Sequence, residues 1–388
     1  MTGLDCLLES TSLHRLENKR IGLIANPTTV NTSLSHAVDE LHRRIGLTRL
    51  FGPEHGIRGD AQDMISVDAA SDPLTGCEVV SLYGDSFDSL SPKVSQIQDL
   101  DVLIFDIQDI GARYYTYVWT MVLAMRVCEK AGVEMMVLDR PNPLGGNVIE
   151  GSKRHDGFDS FVGLCDVPNQ HGLTVGEVAA WRHKEEKMSF PLSVIKMKGW
   201  KRDLLFEDTG LPWVMPSPNM PTLDTVLVYP GMCLVEGTEM SEARGTTKPF
   251  ELFGAPYIDG NTLVKELSTM SLPGVTFRPC SFLPQFQKHA KTLCGGLQIH
   301  VTDRKAFQSY RTAISILFAV KKCWPSDFQF REKAYEFVDD VPAIDLLFGS
   351  PLLREAIDGG GSRQDVFSVL RQDEKEYKES MKDLHLYS

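Results

Sequence analysis

The loop FGPEHGIRG at residues 51–59 carries the densest set of reactive side chains in the chain. It places a carboxylate, an imidazole and a guanidinium, those of Glu54, His55 and Arg58, within five residues of each other. The glycines and the proline of this segment disfavour regular secondary structure. The preceding residues, 46–51, are apolar and predict a short buried strand. Ligands of open α/β sheets bind at the carboxyl ends of strands, so these three side chains are candidate site residues.

Polar side chains recur at the ends of other predicted strands. The apolar run 101–106 leads into IQDIGAR, the run 133–138 leads into DRPNPLGG, and further acids and an arginine follow at 150 and within 231–250. Together with the first loop they predict a site built from Asn26, Glu54, His55, Arg58, Asp106, Asp109, Arg113, Asp139, Arg140, Asn142, Glu150, Glu236, Glu242 and Arg244. Tyr117, in the aromatic run 114–119, is a candidate for stacking on a sugar ring.

A carboxylate-rich cleft edged with arginines suits the cleavage of a glycosidic bond. That reaction needs two carboxyl groups on either side of the substrate. One is held protonated to assist the leaving oxygen, and the other is ionised to activate water or attack carbon. Crowding acids together raises the pKa of one of them. The same groups would also serve a sugar-binding protein without catalysis, through hydrogen bonds to the bound sugar.

A metal-dependent hydrolase is a further alternative, because Asp, Glu and His also bind hard cations. The sequence contains no HxxH, HExxH or HxH pairing, and no GxGxxG or GKS/T loop follows the first predicted strand. We therefore predict neither a metal nor a cofactor. Cys165 and Cys233 stand alone and are expected to be core thiols rather than nucleophiles.

The elements that position these residues form a repeating pattern. Apolar strands at 19–26, 47–51, 77–82, 101–106 and 133–138 are each followed by a polar loop and mostly by a helix, which predicts an α/β fold with a doubly wound parallel sheet. The later segments mix helices with a strand at 295–301, which predicts an α+β domain. We place the boundary near residue 228, giving domains at 1–228 and 229–388. Four prolines in 212–221 predict a rigid extended segment just before it.

Composition limits the classes of partner and the compartment. The 388 residues are 42% hydrophobic and 24% charged, and the net charge of −12 argues against nucleic acid or an anionic membrane as the partner. The first twenty residues lack the apolar core of a signal peptide, and no apolar run is long enough to span a bilayer. Eight scattered cysteines without a CxxC motif predict reduced thiols in a cytoplasmic protein. Oligomeric state is not predicted.

Five motifs resemble those of one family. They are FGPEHGIRG at 51–59, DVLIFDIQDIGARYYTY at 101–117, LDRPNPLGG at 138–146, PSPNMPT at 216–222 and EGTEMSEARGTTKPFELFGAP at 236–256. In this order they resemble the DUF1343 family of NamZ-like exo-β-N-acetylmuramidases. The resemblance implies a Rossmann-like N-terminal domain, a smaller C-terminal domain and an active site in the cleft between them. It also implies release of N-acetylmuramic acid from the non-reducing ends of peptidoglycan fragments without a cofactor.

The resemblance carries roles onto individual residues. Glu54 of the GPEHG motif is the first candidate for a catalytic carboxylate. Glu236 is the second, with Glu150 and Asp106 as rivals, and His55 would orient Glu54 or contact the substrate. The lactyl carboxylate of the sugar would be held by one or more arginines, the candidates being Arg58, Arg113, Arg140 and Arg244. Without an export signal, we expect the substrate to be an imported muropeptide fragment or a related saccharide.

Overall fold

The computed structural model describes residues 1–54, 56–58, 70–84 and 86–388 of the chain. The strands are β1 (Ile21–Ala25), β2 (Arg49–Gly52), β3 (Ala70–Ser71), β4 (Glu78–Ser81), β5 (Val102–Asp106), β6 (Glu134–Leu138), β7 (Leu192–Ile195), β8 (Leu252–Ala255), β9 (Val275–Phe282) and β10 (Cys294–Val301). The first seven form one sheet in the order β3-β4-β2-β1-β5-β6-β7. All its neighbouring strands pair in parallel except the two-residue β3, which runs antiparallel to β4.

Helices cover both faces of the main sheet, and further helices belong to the second half of the chain. The helices are α1 (Gly3–Glu9), α2 (Ala37–Ile45), α3 (Val94–Ile97), α4 (Tyr117–Ala131), α5 (Val175–Glu185), α6 (Leu223–Met232), α7 (Gly260–Ser268), α8 (Ser309–Cys323), α9 (Ala343–Phe348), α10 (Leu352–Asp358) and α11 (Arg363–Met381). Side chains alternate along a strand, so Ile21 and Leu23 pack with α1 and α2 while Ile24 packs with α4. The doubly wound parallel sheet predicted from the sequence is confirmed.

The second half of the chain builds a smaller antiparallel sheet in the order β8-β10-β9. Helix α6 packs against α8, and a Cβ added to Gly231 would lie 2.0 Å from the carbonyl oxygen of Ser309. Glycine is therefore required where the two helices meet. Residue 228 lies inside α6, and the division at this residue stays a prediction.

A helix that could cross a bilayer is not present in the part of the chain that the structure describes.

Candidate active site

A cavity of about 220 Å³ lies at the carboxyl edge of the main sheet, where loops from both halves of the chain meet. Its charged lining residues are Glu54, Glu236, Glu242, Arg244, Lys288, Arg331 and Glu336, and its tyrosines are Tyr83, Tyr114, Tyr115, Tyr117, Tyr229 and Tyr335.

Glu54 is positioned by a tight turn at the end of β2. The amide of Gly56 donates to the carbonyl of Pro53 at 3.0 Å, and Gly56 has a positive φ of 74°, which favours glycine. The hydroxyl of Tyr117 lies 3.4 Å from the carbonyl oxygen of Glu54 and donates to the carbonyl of Pro216 at 2.7 Å. The half-buried Glu54 side chain therefore lines the cavity from the sheet side.

Glu236 enters the cavity from the opposite half of the chain. It lies on the 3₁₀ helix Cys233–Gly237, which directly follows α6. Arg244 donates through Nε at 3.3 Å and Nη2 at 2.8 Å to Oε1 of Glu236, and the Tyr335 hydroxyl donates to Oε2 at 2.7 Å. Burial raises the pKa of this carboxyl, but the Arg244 charge and these hydrogen bonds outweigh burial and hold the pKa below its ordinary value. Glu236 is therefore ionised at neutral pH.

A second acid and a lysine sit beside this pair. The Lys288 amino group donates to the Glu242 carboxylate at 3.0 Å and to the carbonyls of Val235, Glu236 and Met240 at 3.0 to 3.2 Å. Arg244 lies 3.7 Å from Glu242, so two acids and two bases form one balanced cluster.

The backbone between Glu242 and Arg244 is strained. Ala243 has a positive φ of 62°, which is costly for a residue with a Cβ. Both flanking side chains line the cavity, and the amide of Phe250 fixes the loop by donating to the carbonyl of Glu242 at 2.7 Å. The strain is thus found where the loop presents two charged side chains to the cavity.

Tyrosine rings form the apolar part of the wall. Tyr115 makes edge-to-face contacts with Tyr117 at 5.3 Å and with Tyr229 at 5.8 Å between ring centroids. Burial and the charge of Glu54 raise the pKa of Tyr117, which keeps its hydroxyl protonated. Such a wall offers stacking surface to a sugar and limits the water around the carboxylates.

Comparison with known proteins identifies the family. The family model for the N-terminal part of the exo-β-N-acetylmuramidase NamZ matches residues 21–224, and the model for its C-terminal part matches residues 227–387. The chain belongs to the NamZ family. It is 45% identical over its full 388 residues to the peptidoglycan β-N-acetylmuramidase NamZ of Bacillus subtilis (strain 168), covering 91% of that protein. The resemblance drawn from the sequence motifs is confirmed.

Two solved structures of DUF1343 proteins from Bacteroides fragilis NCTC 9343 share the fold. One is 35% identical with a TM-score of 0.90, over all of this chain and 98% of the other. The second is 27% identical with a TM-score of 0.78, over all of this chain and 99% of the other. Both alignments span the main sheet and the smaller one, so the NamZ-family architecture extends through the whole chain.

The cavity of this NamZ-family chain brings together five of the residues predicted from the sequence. They are Glu54, Tyr117, Glu236, Glu242 and Arg244. His55 lies outside the described residues. Their roles as catalytic or substrate-binding groups stay predictions, which the proposals below develop.

Other predicted residues at the strand ends hold the fold together. Asp106 and Arg140 form a buried ion pair, with Nη2 of Arg140 2.9 Å from Oδ2 of Asp106. Asp139 accepts hydrogen bonds from Thr174 and Tyr387 and from two backbone amides. Burial raises the pKa of Asp139 to about 6. Within the described chain, none of these three predicted residues lines the cavity.

The polar side chains at the junction after β5 also make contacts within the fold. Arg113 is fully buried and donates to the carbonyls of Ser152, Val167 and Leu347. Asn142 donates to the Leu173 carbonyl at 3.0 Å. Asp109 accepts from the amide of Gly111 at 2.7 Å and lies 3.7 Å from His171. Asp109, Arg113 and Asn142 were predicted as site residues, but none of them is among the described residues that line the cavity.

Glu150, Arg58 and Asn26 also make contacts within the fold. Glu150 accepts from the amides of Tyr310 and Arg311 and so caps the first turn of α8. Arg58 pairs with Asp39 and Asp72, and Asn26 accepts from the amide and hydroxyl of Thr28. In the described structure none of these three predicted residues lines the cavity, although the Asn26 side chain lies near that of the lining residue Tyr117.

Sequence reasoning missed Lys288, Arg331 and Tyr335. They lie in 283–293 and 328–338, segments in which the sequence pattern predicts neither a preceding strand nor a glycine-rich turn. In the described residues, no group of three His, Cys, Asp or Glu side chains could hold a metal ion.

Proposed function

We propose that this chain is an exo-acting glycosidase that releases N-acetylmuramic acid from the non-reducing ends of peptidoglycan fragments. One observation carries the proposal. Glu54 and Glu236, from the two halves of the chain, line the same tyrosine-walled cavity. The membership of the NamZ family and the activity named for the Bacillus subtilis relative support the substrate class.

The environments of the two glutamates suggest different roles. Glu236 is held ionised by Arg244 and Tyr335, which suits the carboxylate that activates water or stabilises positive charge at the anomeric carbon. Glu54 lines the cavity beside Tyr117, whose pKa is raised by burial and by the Glu54 charge. We assign Glu54 as the proton donor to the leaving oxygen, because glycosidases divide the roles between carboxyls whose environments differ.

The test uses two substrates with different leaving groups. The first is the disaccharide N-acetylmuramyl-β-1,4-N-acetylglucosamine, whose sugar leaving group needs a proton, and the second is nitrophenyl β-N-acetylmuraminide, whose leaving group does not. We expect the wild-type protein to hydrolyse both. Glu54→Gln should lower kcat on the disaccharide by about 10²- to 10⁴-fold and affect the nitrophenyl substrate far less, because proton donation contributes about that factor.

A matched control removes a carboxylate elsewhere. Glu379 is exposed on α11, so Glu379→Gln makes the same chemical change away from the cavity and should keep the wild-type rates. Melting temperatures of both variants would show that the fold is intact. Wild-type turnover of the disaccharide by Glu54→Gln would exclude Glu54 as the proton donor, and lack of turnover by the wild-type protein would contradict the proposed activity.

A further inference from the structure

Among the described residues, three basic side chains line the cavity, and they differ in how they are paired. Arg244 is bound to Glu236, and Lys288 is bound to Glu242 and to three backbone carbonyls. Arg331 makes no ion pair with any residue in the described part of the chain. Its Nη2 donates to the carbonyl of Ala334 at 3.0 Å, and its buried Nε has no partner there. Among the described lining residues, Arg331 is thus the basic side chain without an ion pair.

The position of Arg331 is fixed relative to Glu236. The amide of Arg331 donates to the carbonyl of Gly237 at 2.9 Å, the residue next to Glu236. The guanidinium carbon lies 5.3 Å from the centroid of the Tyr335 ring, and the hydroxyl of this tyrosine binds Glu236. Tyr335 therefore contacts both the Arg331 guanidinium and the Glu236 carboxylate. A ligand in contact with Glu236 would lie in the same cavity as Arg331.

A guanidinium without an ion pair on the wall of a cavity can bind an anionic group of a ligand. A guanidinium binds a carboxylate through two parallel hydrogen bonds more readily than it binds a neutral hydroxyl. N-acetylmuramic acid differs from N-acetylglucosamine by a lactyl ether that carries one carboxylate. We propose that Arg331 binds this carboxylate and thereby makes the site selective for muramic acid over glucosamine. This inference rests on the proposed function and names the specificity residue of the same site.

The test compares three substrates with one aglycone: nitrophenyl β-N-acetylmuraminide, its lactyl carboxamide, and nitrophenyl β-N-acetylglucosaminide. The wild-type protein should prefer the muraminide over both neutral substrates in kcat/KM. Arg331→Gln should lower these two preferences by about 10- to 100-fold, the range expected for a hydrogen bond to a charged group. Arg331→Lys keeps the charge but loses the paired hydrogen bonds, so its preferences should lie between those of the wild-type protein and those of Arg331→Gln.

Lys333→Gln is the matched control, because Lys333 is exposed two residues away, outside the cavity lining, and its substitution removes the same charge. It should leave both preferences unchanged. Equal losses on charged and neutral substrates in Arg331→Gln would overturn the inference, as would the same loss of preference in Lys333→Gln. Circular dichroism and melting temperature establish that each variant is folded.

Calorimetry separates this inference from the proposed activity. If the wild-type protein hydrolyses none of the three substrates, the proposed function fails. Binding of free N-acetylmuramic acid and N-acetylglucosamine then tests Arg331 alone. Tighter binding of the acid by the wild-type protein, lost in Arg331→Gln, would support the carboxylate site. Equal binding of the two sugars by the wild-type protein would overturn it.

Discussion

Removing the Tyr335 hydroxyl tests whether Glu236 acts as the ionised carboxylate. The hydroxyl donates at 2.7 Å to Oε2 of Glu236, and burial raises the pKa of Tyr335, so the tyrosine stays protonated and keeps donating. Tyr335→Phe preserves the ring and its contact with Arg331 but removes this donor. The pKa of Glu236, which is lower than its ordinary value in the folded protein, should therefore rise.

The size of the effect follows from the kind of hydrogen bond that is lost. A hydrogen bond to a buried charged group contributes about 1.5–3 kcal/mol. At 1.4 kcal/mol per factor of ten, the ionised form of Glu236 becomes about 10- to 150-fold less favoured. On the acidic side of the pH profile the rate follows the ionised fraction, so kcat/KM should fall there by the same factor. On the plateau at higher pH, where Glu236 is ionised in both proteins, the loss should be much smaller.

The assay is the pH profile of kcat/KM on nitrophenyl β-N-acetylmuraminide between about pH 4 and 8, since carboxyl groups titrate near the lower end of this range. We expect the acidic limb of Tyr335→Phe to move to higher pH. Tyr257→Phe is the control, because the buried Tyr257 hydroxyl has no hydrogen-bond partner among the described residues and lies outside the cavity lining. A uniform loss at every pH would contradict the reasoning, and a shift of the alkaline limb would reverse the assignment of the two glutamates.

Two further predictions concern the buried charges near the sheet. Asp139 has a folded pKa of about 6 against 3.8 for the free side chain, so its protonated form stabilises the fold below about pH 4, and this stabilisation is lost as pH rises to 6. The unfolding free energy of Asp139→Asn, measured by urea denaturation, should therefore rise by roughly 3 kcal/mol relative to that of the wild-type protein as pH rises from about 4 to 6. A difference in unfolding free energy that does not depend on pH would contradict the raised pKa of Asp139. Arg140→Met leaves the buried Asp106 carboxylate unpaired and should cost about 3–5 kcal/mol of unfolding free energy. The double variant with Asp106→Leu should recover part of this loss, and a stability loss under 1 kcal/mol in the single variant would contradict the role of the pair.

The parallel sheet could be predicted because its strands are short apolar runs that carry their own signal. The central strands β1 and β5 are buried at every residue, and such runs are typical of strands covered on both faces. Helix α6 could not be predicted in the same way. It is buried over most of its length, so it lacks an amphipathic pattern, and Pro230 lies inside it. The predicted boundary at residue 228 lies within this helix, and the domain division stays a prediction.

The site was harder to predict because a strand end supplies both binding groups and structural ion pairs. Asp106 and Arg140 have the residue types and positions of a binding site, yet their charges neutralise each other in the core. Only the pairing of side chains in three dimensions separates these cases. Arg331 is the opposite case, because nothing in its local sequence predicts a site residue. In the described structure it lines the cavity without an ion pair, whereas Arg244 and Lys288 are paired with glutamates. A basic side chain without an ion pair in the cavity wall is therefore a better guide to the proposed specificity than the density of charged residues in the sequence.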